Sequence, residues 1–109
     1  VDARLVDATT ALPDAPTAVQ VVTCPVGGNT PTVVTGAGTY SPVSTAIAVN
    51  EIVKFTMPSI HNVVPDPALM TDDGLNVGFN ATRCLKFTVA GTYNFKCGPH
   101  QFKGNVVVN

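Results

Sequence analysis

The sequence predicts an all-β domain built as an antiparallel sandwich. Short runs rich in β-branched and aromatic residues recur along the chain, turn residues separate them closely, and no apolar set repeats at helical period. Val19, Val21 and Thr23 share one face of a first strand, and Thr32 to Thr35 forms a second beyond a Gly27-Gly28-Asn29 turn. Strands over Ala46 to Val49 and Ile52 to Met57 flank an Asn50-Glu51 turn, and a short one follows over His61 to Val64. The last three fall near Arg83 to Thr88, Thr92 to Cys97 and Asn105 to Val108. Pro65 to Leu75 is the one stretch with room for a helical turn.

At 109 residues the chain is long enough for one domain with its own core. Residues 1–17 stand apart: Val1 to Pro16 is rich in Ala, Asp, Thr and Pro and lacks aromatics, so the arm reads as a linker and 18–109 as the domain. In an exported protein such a spacer follows a removed signal or tethers the domain to an envelope. A net charge of -1 with 12% charged residues leaves no basic footprint for nucleic acid and no polybasic membrane patch. No apolar run approaches the roughly 20 residues of a membrane span, and no leader pattern is visible, so the chain reads as mature and soluble.

The chemistry concentrates in Phe95-Lys96-Cys97-Gly98-Pro99-His100-Gln101-Phe102-Lys103-Gly104. In Tyr93-Asn94-Phe95-Lys96-Cys97 the odd positions are aromatic and the even ones polar, so Cys97 emerges on the core side as its strand ends. His100 follows in the same loop, and the chain's other histidine, His61, lies in Ile60-His61-Asn62-Val63-Val64. One thiolate and two imidazoles form the trigonal donor set of a blue-copper centre. The same alternation turns Leu85 and Phe87 inward and Cys84 to the outer face.

Cys97-Gly98-Pro99-His100 and His61-Asn62-Val63 resemble the two ligand segments of the cupredoxins, most nearly the plastocyanin- and amicyanin-like members. The similarity extends over Tyr40-Ser41-Pro42, Val53-Lys54-Phe55 and Ala90-Gly91-Thr92-Tyr93, and so covers roughly residues 40 to 109. It implies a Greek-key β-sandwich of about seven to eight strands that carries one electron on copper. It also implies that Asn62 hydrogen-bonds across to the other ligand loop. Relatives often carry Ser or Thr after the cysteine, so at Gly98 that bond must use the backbone. With Cys97 on the metal, Cys24 and Cys84 remain as the available disulfide, which would indicate an oxidising compartment such as a periplasm or cell exterior. Two separate reduced thiols are the other reading.

The sequence departs from the resemblance at the axial position. Amicyanin-like loops place methionine three residues after the histidine and plastocyanin-like loops five after, where this chain has Lys103 and Asn105. Gln101, Met57 and Met70 are candidate replacements, and an empty position closed by Phe102 is another. The resemblance implies outer-sphere electron transfer by type 1 copper, with transient redox partners meeting an apolar rim of Pro99 and Phe102 around His100. Both histidines are then committed, which leaves no base for enzymatic catalysis. A copper chaperone or sensor, or a non-redox envelope domain, would suit the same scaffold.

Overall fold

A computed structural model of the protein describes residues 18–67, 72 and 74–109. The arm over 1–17 and Met70 lie outside the described residues, and so does part of the stretch where a helical turn was expected. Among the described residues all regular structure is strand: β1 (Val19–Val22), β2 (Thr32–Thr35), β3 (Tyr40–Ser41), β4 (Ser44–Ile47), β5 (Ile52–Met57), β6 (Val64–Pro65), β7 (Ala81–Phe87), β8 (Gly91–Lys96) and β9 (Lys103–Val108). No helix among them is long and apolar enough to cross a membrane.

The strands make two sheets, one ordered β1-β7-β5-β2-β3 and the other β4-β9-β8-β6. The sandwich is the predicted one, but two of its strand pairs are parallel, β2 with β5 and β4 with β9. Side chains alternate with period two in either orientation, so the sequence pattern carries no information on that choice. β3 and β4 belong to different sheets although only Pro42 and Val43 separate them, so the chain crosses the sandwich there. The short β3 was not anticipated. Nor does His61 to Val64 form a continuous strand: Val64–Pro65 pairs with β8, while Val63 makes an isolated bridge to Val77.

β5 reads Ile-Val-Lys-Phe-Thr-Met, and its Val53, Phe55 and Met57 are buried while the residues between them are half-buried. Leu85 and Phe87 face the same interior from β7, and Phe95, Val106 and Val108 close it from the other sheet, all five no more than 3% exposed. Phe55 meets Phe95 across the core, edge to face, with centroids 5.6 Å apart. Burying each such aromatic contributes about 1.5–3 kcal/mol. Tyr93 joins the core by its ring and donates its hydroxyl to the Val89 carbonyl at 2.5 Å. At Gly104 the packing leaves no room for a side chain, since a Cβ would lie 2.9 Å from both the Phe95 ring and the Val43 carbonyl oxygen.

Cys84 follows its predicted face but not its predicted exposure. It lies outside the core cluster yet is only 1% exposed, because it is bonded to Cys24 with a Cα–Cα distance of 5.2 Å. That disulfide fastens the chain leaving β1 to the middle of β7, where Val22, Cys84 and Lys54 stand in register. Val21 is 58% exposed even though it shares a face with buried Val19, because β1 is an edge strand.

Candidate metal centre

The alternation of β8 carries Tyr93, Phe95 and Cys97 into the core, and Cys97 is fully buried where the strand ends. The next residues fold tightly back. Gln101 N–H donates to the Cys97 carbonyl at 2.8 Å, and Cys97 N–H donates to the Phe102 carbonyl at 3.0 Å. Gln101 takes a left-handed φ of 64° to turn the chain into β9. His100 thereby swings over Cys97.

His61 arrives from the other sheet. β5 ends at Met57, and Pro58-Ser59-Ile60 turns the chain so that His61 N–H reaches the Pro58 carbonyl at 3.4 Å. The Asn80 N–H donates to the same carbonyl at 2.8 Å, fixing this loop to the start of β7. His61 is buried, whereas His100 is exposed.

The three donor atoms converge. The Nδ1 atoms of His61 and His100 are 3.1 Å apart, and each lies 3.6 Å from Cys97 Sγ. A triangle with those sides has one point about 2.0 Å from every corner, which is the length of a metal–imidazole bond and slightly short of a metal–thiolate bond. Three donors this close together can reach a single ion. No carboxylate belongs to this group, and a thiolate with two imidazoles suits a soft or borderline ion rather than calcium or magnesium. The residues therefore fit copper.

The surroundings hold this geometry. Asn62 Oδ1 accepts the Gly98 N–H at 2.8 Å, so the backbone supplies the bond between the two ligand loops. Phe102 sets its ring edge-on to His61 at 5.0 Å and parallel to His100 at 6.3 Å. Below it lies Tyr40, 1% exposed, edge-on to Phe102 at 4.7 Å, with its hydroxyl donating to the Asn62 carbonyl at 2.6 Å. Burial, and then the charge of Cys97, push the Tyr40 hydroxyl far above its usual range, so it stays a donor. Its role was not anticipated. The available signal was a tyrosine in a predicted β-protein, two residues before Pro42, whose hydroxyl needs a partner once the ring is buried.

Of the axial candidates, Gln101 points outward: its Oε1 accepts from Lys96 Nζ at 3.2 Å, and its Nε2 donates to the Gly98 carbonyl. Lys103 pairs with Asp66 at 3.2 Å and is 70% exposed. Asn105 accepts a hydrogen bond from the Ser44 hydroxyl at 2.6 Å. Met57 is 3% exposed within the core cluster at the end of β5.

No protein-family model matches the chain, and no curated protein matches it. Solved structures do. Amicyanin from Paracoccus versutus (Thiobacillus versutus) superposes with a TM-score of 0.67 at 21% identity, covering 86% of this chain and 100% of its own. A reduced Cu(I) form of an amicyanin variant at pH 4 gives a TM-score of 0.67 at 23% identity over 84% of this chain and 99% of its own. The oxidised form of a methionine-to-lysine amicyanin variant gives 0.65 at 22% identity, covering 84% and 98%. The protein thus has the cupredoxin fold of amicyanin and brings two histidines and a cysteine together on it.

Proposed function

We propose that the protein is a small electron carrier whose one type 1 copper, held by His61, Cys97 and His100, passes between Cu(II) and Cu(I). The observation that carries this reading is the convergence of two Nδ1 atoms and Cys97 Sγ within 3.6 Å of one another. Bound there, copper supplies a one-electron couple. The chain's own part is to hold three donors nearly fixed, so that little has to move when the electron arrives or leaves. Cys97 and His61 exclude water from one side, while exposed His100 offers the short route to the surface.

The surface beside that route has an apolar part, since Pro99, next to His100, and Ile60, next to His61, are both exposed. Such a surface suits a redox partner that docks briefly over less than about 1,200 Å². The reading includes no enzymatic step, because both histidines serve the metal. The Cys24–Cys84 disulfide supports an exported, periplasmic or cell-envelope setting.

The test is to add Cu(II) to the apoprotein. Electron transfer by type 1 copper requires an intense thiolate-to-copper band that bleaches on reduction and returns on oxidation. A bound ion without that colour that exchanges readily would point instead to a chaperone or sensor. A washed protein that retains no copper would point to a structural domain.

We further propose that no protein side chain fills the axial position strongly, with Phe102 closing it. The outward bonds of Gln101 and Lys103 support this. Gln101→Ala and Met57→Leu should then each leave the reduction potential nearly unchanged by voltammetry. A shift beyond about 60 mV, a tenfold change in a one-electron equilibrium, would identify the altered residue as a ligand or a close tuner.

A further inference from the structure

We propose that Tyr40 is a positioning residue of the metal centre, and that its hydroxyl sets where His61 stands relative to Cys97. The inference rests on the copper reading above. Tyr40 reaches His61 through Asn62, His100 through Phe102, and Cys97 through Asn62 and Gly98. Its hydroxyl holds the Asn62 carbonyl at 2.6 Å, immediately after His61. The same asparagine's Oδ1 takes the Gly98 N–H at 2.8 Å, immediately after Cys97. Its ring supports Phe102 at 4.7 Å, and Phe102 in turn lies against both imidazoles. One side chain on β3 therefore gives both ligand loops a common reference.

Geometry makes the role specific. β3 pairs only through Tyr40 and Ser41 to β2, so the tyrosine is a short peg at a sheet edge rather than part of a long ladder. Its ring is also packed edge-on to Phe95 at 4.8 Å, which fixes where the hydroxyl can be. A part-buried carbonyl that loses a donor held at this distance moves to find another. At Asn62 that movement would carry His61 Nδ1 with it, away from a triangle whose sides are all 3.6 Å or less.

Tyr93 provides an internal control. It too is a buried tyrosine whose hydroxyl donates to a backbone carbonyl, that of Val89 at 2.5 Å, but it contacts Phe87 rather than the ligand loops. Tyr40→Phe and Tyr93→Phe should each lower the melting temperature of the copper-loaded protein. Only Tyr40→Phe should also change the intensity ratio of its visible bands and speed copper release to a chelator by about tenfold, as loss of an outer-shell partner does. If Tyr40→Phe accumulates unfolded, Phe102→Leu keeps the hydroxyl, removes the ring's support, and should also change the band ratio. A blue wild-type protein in which Tyr40→Phe matches Tyr93→Phe in spectrum and release, or Phe102→Leu matches wild type where it serves as the substitute, overturns this inference alone. A wild-type protein with no intense band overturns the copper reading and this inference with it.

Discussion

Cys97→Ser should abolish the intense visible band of the copper-loaded protein while leaving the sandwich folded. The colour of a type 1 centre belongs to the thiolate–copper bond, and Cys97 is the thiol within 3.6 Å of both imidazole nitrogens. Serine is close in size, so the fully buried position suffers little change in packing. Its hydroxyl ionises far less readily and is a harder donor, so copper held by His61 and His100 would be weakly bound and pale. The stability loss should be about 1–3 kcal/mol, the cost of burying a hydroxyl without an assured partner. Copper titration followed by absorption, with far-UV circular dichroism of the same sample, separates the two effects. An intense band surviving in the folded serine variant would remove Cys97 from the centre.

Cys97 and His100 were legible from local rules, whereas His61, which arrives from the other sheet, was legible through the resemblance of His61-Asn62-Val63 to a ligand segment. Period-two alternation through Tyr93 and Phe95 carries Cys97 inward, and a loop of two residues between Cys97 and His100 forces them to the same end of the strand. The disulfide followed from there being two other cysteines. What was not legible depends on contacts between distant segments. The parallel pairing of β4 with β9 has the same residue pattern as an antiparallel pairing. The crossing at Pro42 and Val43, which leaves β3 and β4 in different sheets, leaves no periodic trace either.

The axial position shows the same boundary. Counting from His100 puts Lys103 where amicyanin-like loops have methionine, but counting cannot tell that Lys103 begins β9 on its exposed face. There it meets Asp66 at 3.2 Å, from a segment 37 residues earlier in the chain. Nor does the sequence show that Gln101 turns through a left-handed φ of 64° and spends its amide on Lys96 and Gly98. The Tyr40 hydroxyl belongs with these, since its carbonyl partner lies 22 residues away on another loop.

Removing the disulfide should produce the largest loss of stability while sparing the metal centre. Cys24 and Cys84 are 60 residues apart in sequence, and freeing a loop of that size restores denatured-state entropy worth about 4 kcal/mol in the chain-entropy model. Against a total of about 5–15 kcal/mol for a domain of this kind, the double variant Cys24→Ala with Cys84→Ala should melt about 15–30 °C lower. The metal centre lies beyond one end of the same strands, away from the disulfide at the middle of β7. Cys84 stands opposite Lys54, whereas His61 follows Met57, whose partner Ala81 is about 10 Å further along β7. The visible spectrum of the copper-loaded variant should therefore match wild type at temperatures where it is folded. Thiol labelling of denatured apoprotein provides the chemical check: Cys97 alone should react before reductant is added, and all three cysteines afterwards. A melting shift of only a few degrees would show that the bond contributes little constraint, and a changed copper spectrum would show that the disulfide is coupled along β5 and β7 to the metal centre.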